Sequence, residues 1–204
     1  MSKKAVLIDG NSLAYRAFYA LPDTMKTTSG ITTNAVYGFT TMLLKILEKK
    51  PDFIAVAFDK PGPTFRHKEY ADYKATRQKQ PPTLYEQMPL VRKMVDAFSV
   101  PIYEIDNYEA DDIIGTLARQ AEDKGFNVEI VTGDLDTLQV IDEKIKVLTT
   151  RKGISDIVEY NQDEVKRRFG IAPEQMVDYK ALKGDTSDNI PGIPGIGEKT
   201  ASEL

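Results

Sequence analysis

Carboxylates recur in this chain at the points where predicted elements begin or end. Asp9, Asp59 and Asp134 each come within two residues of an apolar, β-branched run. Because ligands bind at the carboxyl ends of strands in an open α/β sheet, these acids are expected to meet at one edge. Carboxylates gathered there would repel one another, and hard divalent cations relieve that repulsion. The sequence therefore predicts a metal-dependent enzyme that acts on phosphates.

Further acids follow helical or turn spacing. Glu109 and Asp112 are three residues apart and would share one face of a helix, and Asp185 and Asp188 have the same spacing. Each acid alone has a structural interpretation as a helix cap or a first-turn residue, but the joint pattern exceeds what capping requires. The full set of candidate metal ligands is Asp9, Asp59, Glu109, Asp111, Asp112, Asp134, Asp136, Asp185 and Asp188.

Two groups of acids suit a two-metal phosphodiester hydrolase. In such sites one ion activates a water and both ions stabilise the charge on phosphate, at a separation of roughly 3.5–4 Å. A structural zinc site is disfavoured because the chain has a single histidine, His67, and no cysteine. A P-loop nucleotide hydrolase is disfavoured because no Gly-x-x-x-x-Gly-Lys motif occurs.

The bulk composition is that of an ordinary globular protein. The 204 residues are 41% hydrophobic and 28% charged, with a formal net charge of −4. The absence of cysteine excludes disulfides, and the first apolar run is too short for a signal peptide or a membrane span. A cytoplasmic protein without membrane association is the expectation. Basic residues between Lys60 and Lys79 provide a local surface for a phosphate backbone despite the negative total.

Alternating apolar runs and amphipathic stretches predict an α/β fold with a mainly parallel sheet and helices on both faces. The predicted strands are 5–8, 53–58, 101–105, 128–131 and 146–148. The predicted helices are 33–48, 84–98, 162–169 and 173–182, with further helices after Asp9, Gly197 and the acidic triplet.

Two regions depart from the alternating pattern. The stretch 60–82 is basic and aromatic, and it is too long for an ordinary connection, which indicates a functional loop or lid. The tail from about Tyr160 contains no convincing strand and predicts short helices. We therefore expect a metal-binding α/β domain at 1–159 and a small helical module at 160–204.

The motifs together resemble the 5′ nuclease family, which includes the amino-terminal domain of bacterial DNA polymerase I and phage and bacterial flap endonucleases. They are LIDGNSLAYRAF, VAFDKPGPTFR, YKATR, EADDIIGTLA, TGDLDTLQ and KGDTSDNIPGIPGIGEKTA, in the family's order over essentially the whole chain. The resemblance implies a PIN-like 5′ nuclease fold with a helix–three-turn–helix module. Family members continue beyond the position of Leu204, so that module is expected to be truncated.

The resemblance implies two Mg²⁺ or Mn²⁺ ions and hydrolysis of DNA or RNA–DNA at a 5′ end or flap, as in primer removal and repair. The products would carry a 5′ phosphate and a 3′ hydroxyl. The first ion would be held by Asp9, Asp59, Glu109, Asp111 and Asp112. The second would be held by Asp134, Asp136, Asp185 and Asp188.

The same resemblance places a helical arch for the 5′ single strand at about 66–89. Lys74 and Arg77 match positions that contact the scissile phosphate, where fixed cations offset oxyanion charge. Arg16 matches another phosphate-contacting position, for which a surface salt bridge is the structural alternative. Tyr73 could stack on a base without sequence preference.

The tail resembles the duplex-binding element of the family. Its glycines permit tight turns and close approach to a phosphate, and the helix that follows presents N–H groups to the anion. The family often holds a K⁺ ion there. The predicted DNA-binding residues of this element are Lys180, Gly192, Gly195, Gly197, Lys199 and Thr200.

The expected partner is DNA with a 5′ flap, a nick or a free 5′ end, bound by a monomer that is joined to a polymerase domain in a longer parent chain. Two other classes stay open at this point. A HAD-like phosphatase would need a second acid two residues after Asp9, where Asn11 stands. A non-catalytic DNA-binding module would not need so many acids, because without metal they repel DNA.

Overall fold

The computed structural model describes residues 3–153 and 156–204. A single sheet with strand order β3-β2-β1-β4-β5-β6 lies at the centre, and only β6 runs antiparallel to its neighbour. The strands are β1 (Lys3–Asp9), β2 (Phe53–Ala57), β3 (Ile102–Tyr103), β4 (Phe126–Val131), β5 (Ile145–Lys152) and β6 (Asp156–Tyr160). The predicted mainly parallel sheet is confirmed.

Helices cover both faces of the sheet, as predicted. They are α1 (Gly10–Ala20), α2 (Asn34–Glu48), α3 (Phe65–Glu69), α4 (Pro82–Tyr85), α5 (Met88–Ala97), α6 (Ala110–Asp123), α7 (Gln162–Phe169), α8 (Met176–Lys183) and α9 (Glu198–Glu203). Two 3₁₀ turns, Leu135–Val140 and Pro173–Gln175, precede β5 and α8.

The central strand β1 shows how the two faces divide. Successive side chains of a strand point to opposite faces. Ala5 and Leu7 pack in one apolar cluster with α6, whereas Val6 and Ile8 pack in the other with α1, α2 and α5. Since β1 is buried on both sides, it reads as a continuous apolar run, as parallel strands do.

The sequence-based prediction was wrong or incomplete at two places. The strand β6 was not predicted, and with it β5 extends well beyond 146–148. The helix predicted at 84–98 is two helices, α4 and α5, with a break before Met88. Pro89 explains the break, because it lacks the N–H that a continuous helix would need and is tolerated only in a first turn.

The helices of the tail pack on the same side of the sheet as α6. Val165, Met176, Tyr179 and Ala201 belong to the apolar cluster that contains Leu7. This packing fixes the segment after α8 close to the carboxyl ends of the strands. Among the described residues, every helix is too short or too polar to traverse a lipid bilayer.

Candidate active site

Four carboxylates converge at the carboxyl edge of the sheet, and we call them the unpaired quartet: Asp9, Asp59, Asp111 and Asp134. Asp9 ends β1 and caps α1, Asp59 follows β2, and Asp134 caps the 3₁₀ turn after β4. Asp111 lies in the first turn of α6. The parallel register, which pairs Asp9 with Ala57 and Ile8 with Val131, brings these strand ends together.

The quartet is held in place by neutral donors. Asp9 accepts from the backbone N–H of Ser12 at 2.9 Å and from the hydroxyl of Thr132 at 2.8 Å. Asp59 accepts from the N–H of Ala110 at 2.7 Å. Within the described ranges, no lysine or arginine forms an ion pair with any member of the quartet.

Burial and mutual repulsion disfavour the charged forms of three members. Asp9 is 5% exposed, and burial followed by the charges of Asp59 and Asp134 raises its pKa to about 7, against the hydrogen bonds from Ser12 and Thr132. Burial and then the charges of Asp9, Asp134 and Asp59 raise the pKa of Asp111 well above its usual range. Burial also raises the pKa of Asp134. The quartet is therefore a region of excess negative charge.

The donor set suits a hard divalent cation. The quartet lines a cavity of about 310 Å³ together with Asn11, Lys74 and Arg77. The Oδ1 atoms of Asp111 and Asn11 are buried and accept no hydrogen bond from any described residue. Unsatisfied buried oxygens of this kind call for an ion or a water. In the described part of the chain, no three carboxylate or imidazole groups are arranged to hold an ion directly, whereas Mg²⁺ typically keeps several waters in its shell.

The other five predicted ligands, which we call the paired acids, each form an ion pair with a lysine or arginine, and two of them share Lys180. They are Glu109, Asp112, Asp136, Asp185 and Asp188. Lys74 donates to both oxygens of Glu109 at 2.9 and 2.8 Å. Arg66 forms a bidentate pair with Asp112, with both distances 2.7 Å. Burial acts to raise the pKa of Asp112, but the bonds from Arg66 hold it below its usual range.

The remaining paired acids lie toward the tail. Lys180 bridges Asp136 and Asp185, and Asp185 also accepts from the N–H and the hydroxyl of Ser187. Burial acts to raise the pKa of Asp185, but the bonds from Lys180 and Ser187 hold it below its usual range. Arg77 donates to Asp188 at 2.7 Å. Asp134 borders Asp9 and Asp111 in one cavity, and it also accepts from the N–H of Asp136 at 2.9 Å, so it lies between the two ligand sets expected from the sequence.

The segment 70–77, which carries Lys74 and Arg77, lies against the loop 187–189. The N–H of Lys74 donates to the carbonyl of Asp188 at 3.0 Å, and the Nε of Arg77 donates to the carbonyl of Ser187 at 3.1 Å. The amide of Asn189 donates to the carbonyl of Asp72 at 2.8 Å. Lys74 has φ of 57°, a left-handed conformation that costs a non-glycine residue roughly 1 kcal/mol and that this loop contact maintains.

Two predicted contacts differ in the structure. Tyr73 is buried, and its hydroxyl lies 3.0 Å from both Glu109 and Asp188, so the ring presents no open face to a base. Hydrogen bonds from the Tyr73 hydroxyl to these two acids keep the side chain buried. Arg16 does not line the cavity and donates to the carbonyls of Thr150 and Gly153 instead. Among the described residues Arg16 thus forms no surface salt bridge, and its contact with a phosphate stays a prediction.

The tail places its predicted DNA-binding residues in different surroundings. Lys199 and Thr200 are exposed at the start of α9, which follows Gly197. Gly195 has φ of 85°, the left-handed region that favours glycine. At Gly192 a Cβ atom would lie 2.3 Å from the backbone of Lys183, so this glycine permits packing on the end of α8. Lys180 is engaged by Asp136 and Asp185.

Sequence reasoning missed the neutral residues of the site. Asn11 lines the cavity, Thr132 holds Asp9, and the hydroxyl of Ser12 accepts from the N–H of Gly133 at 2.7 Å. The sequence indicated two of these residues in part, because Asn11 and Ser12 come just after Asp9, a predicted metal ligand. Arg66, the partner of Asp112, was counted only as part of a basic stretch.

Comparison with known sequences gives the family. A family model described as "5′-3′ exonuclease, N-terminal resolvase-like domain" matches residues 4–170, and one described as "5′-3′ exonuclease, C-terminal SAM fold" matches residues 171–204. The fold and the carboxylate edge accord with a nuclease of this kind. The chain belongs to the 5′-3′ exonuclease family.

A curated relative and two solved structures agree with this assignment. DNA polymerase I of Bacillus subtilis is 54% identical over 99% of this chain, and this chain spans 23% of the length of that relative. The fold is similar to that of the T5 5′-exonuclease with bound zinc, at a TM-score of 0.78 and 21% identity, over 98% of this chain and 74% of the other. A T5 flap endonuclease complex with DNA and metal ions has a TM-score of 0.77 and 21% identity, with the same two coverages.

Proposed function

We propose that this chain is a structure-selective 5′ nuclease that hydrolyses DNA or RNA–DNA phosphodiesters at 5′ ends and flaps with two divalent ions, Mg²⁺ or Mn²⁺. The observation that carries the proposal is the unpaired quartet in a cavity that Lys74 and Arg77 also line. The solved T5 relatives with zinc, or with DNA and metal ions, support both the cofactor class and the partner. The length of the polymerase I relative supports a fused polymerase domain in the parent protein.

The quartet would hold the first ion, since its four carboxylates line one cavity. The second ion would be held by Asp136, Asp185 and Asp188 together with Asp134. Such ions lower the pKa of a bound water and stabilise the charge that develops on a phosphate.

The side chains Lys74 and Arg77 would bind the scissile phosphate. Both are donors to carboxylates here, and a phosphate that enters the cavity offers the same kind of charge-assisted acceptor. Since the acids that hold them remain nearby, each cation can exchange one oxyanion for another with little cost in solvation. Fixed cations of this kind stabilise the transition state more than the ground state.

The tail would bind the duplex beside the cleavage site. The exposed start of α9 with Lys199 and Thr200, preceded by the turns at Gly195 and Gly197, supports contact with a phosphate backbone. We also propose that this element binds a K⁺ ion and that the protein acts as a monomer.

A cleavage assay tests the function. A duplex with a labelled 5′ flap is incubated with the chain and Mg²⁺ or Mn²⁺, and the expected product is the released flap with a new 5′ phosphate on the duplex. Asp111→Ala and Asp134→Ala should abolish release while leaving the circular dichroism spectrum unchanged. Asp96→Ala, an exposed acid on α5, is the matched control and should cleave normally.

Two results would contradict the proposal. Retarded migration of the flap duplex without any cleavage at saturating Mn²⁺ would identify a binding module. Efficient turnover of a small phosphomonoester without cleavage of DNA would identify a phosphatase.

A further inference from the structure

One buried oxygen in the cavity belongs to a residue with no assigned role. The Oδ1 atom of Asn11 is buried and accepts no hydrogen bond from any described residue. The same is true of the Oδ1 atom of Asp111, which lines the same cavity. A buried acceptor without a partner is destabilising, so its presence indicates an unseen donor or ion.

The backbone that carries Asn11 is fixed from three sides. Asp9 caps the helix through the N–H of Ser12, and the hydroxyl of Ser12 accepts from the N–H of Gly133. At Gly10 a Cβ atom would lie 2.3 Å from the ring of Phe58, so the first turn of α1 lies directly on that ring. The backbone of Asn11 is therefore held beside the cavity by these contacts.

We propose that Asn11 positions the first divalent ion, and that its amide oxygen accepts a hydrogen bond from a water in the hydration shell of that ion. Asn11 is thus a positioning residue for the metal. This inference rests on the proposed function, since it requires a divalent ion at the unpaired quartet.

The chemistry of the cavity favours a neutral oxygen at this position. Asp9, Asp111 and Asp134 already repel one another, and another carboxylate would add to that repulsion. An amide oxygen binds water without adding charge. Because no three carboxylate or imidazole groups among the described residues are arranged to hold an ion directly, much of its shell must be water that needs acceptors.

The test measures Mn²⁺ binding to the chain by calorimetry, without DNA. Asn11→Ala should weaken the binding by about 10-fold, the lower end of the effect that outer-shell partners of metal ligands have. Asn11→Asp keeps an oxygen acceptor and should bind Mn²⁺ at least as tightly as the original chain, while its metal-free form should melt at a lower temperature.

Thr40→Val is the matched control. The hydroxyl oxygen of Thr40 is also buried without a partner, but it lies on α2 and does not line the cavity. This variant removes an unsatisfied oxygen in the same way and should bind Mn²⁺ as the original chain does. Thermal melts in EDTA show whether each variant folds before it is titrated.

The outcomes separate this inference from the proposed function. If the original chain binds Mn²⁺ and Asn11→Ala binds it equally well, the role of Asn11 is refuted and the nuclease assignment stands. Equal weakening by Thr40→Val would show a general packing effect and would also refute it. If the original chain binds no Mn²⁺ at any concentration, both proposals fail.

Discussion

The two groups of carboxylates in this site differ in what balances their charge. Among the described residues the unpaired quartet accepts from neutral donors such as Ser12 and Thr132, and the pKa values of Asp9, Asp111 and Asp134 are raised. The paired acids are bonded to Arg66, Lys74, Arg77 and Lys180, and the pKa values of Asp112 and Asp185 are lowered.

This difference indicates which groups need a partner from outside the chain. The quartet concentrates negative charge without a cation of its own, so a divalent ion would stabilise it. The five paired acids are balanced in large part by four cations, which they keep close to the cavity where a phosphate would lie. The division thus separates residues that would bind the first ion in the resting protein from residues that would give up their lysine and arginine partners when the second ion and DNA bind.

The largest expected effect is on the rate of flap cleavage, which should fall much more when a member of the quartet is replaced than when a paired acid is. Asp9→Asn should lower the rate of flap cleavage by about 10³-fold, because a metal ligand is lost from the quartet. Asp185→Asn should lower it by roughly 10-fold, since Lys180 and Ser187 still hold that side chain in place. Single-turnover rates at saturating Mg²⁺ measure both. Equal losses would show that the difference in pairing has no functional meaning.

A smaller effect distinguishes the same variants by stability in EDTA. The folded pKa of Asp9, about 7, exceeds its ordinary value of 3.8, so the folded state binds the proton more tightly. The contribution of Asp9 to the stability of the metal-free chain should therefore fall as pH rises between those values, by at most about 1.4 kcal/mol per pH unit for this one group. Asp9→Asn removes this loss and should melt higher than the original chain at pH 8, by several degrees.

Asp185→Asn should show the opposite sign. The folded pKa of Asp185 is lowered, so its ionised form stabilises the fold above its ordinary pKa, and that contribution is lost as pH falls. The variant should therefore melt lower than the original chain at pH 8, and the difference should shrink toward acid pH. Melting curves in EDTA from pH 4 to pH 8 check the two signs, and curves continued below pH 3.8, the ordinary pKa of an aspartate, check the shrinking difference for Asp185→Asn. A shift in the same direction for both variants at pH 8 would contradict the account.

The sequence predicted those parts of the fold that depend on local pattern. The apolar run before Asp9 predicted a central strand, and the parallel arrangement then followed from the alternation of strands and helices. The meeting of Asp9, Asp59 and Asp134 at one edge was predicted for the same reason. The strand β6 escaped prediction because it is short, partly polar and antiparallel, so its stability depends on β5 rather than on its own residues.

The charge balance of the site could not be predicted, because it depends on tertiary contacts. Arg66 and Asp112 are 46 residues apart, and nothing in their local sequence indicates that they pair. The burial of Tyr73 depends in the same way on Glu109 and Asp188, which come from distant parts of the chain. Spacing therefore identified the acids but could not separate the quartet from the paired acids.

The most direct test of the account is a crystal of the chain grown without DNA and soaked in Mn²⁺, with anomalous data collected near the manganese edge. The account predicts a strong anomalous peak in the cavity among Asp9, Asp111 and Asp134, with Lys74 still bonded to Glu109. An empty cavity at saturating Mn²⁺, or a peak that displaces Lys180 while the quartet stays bare, would contradict it.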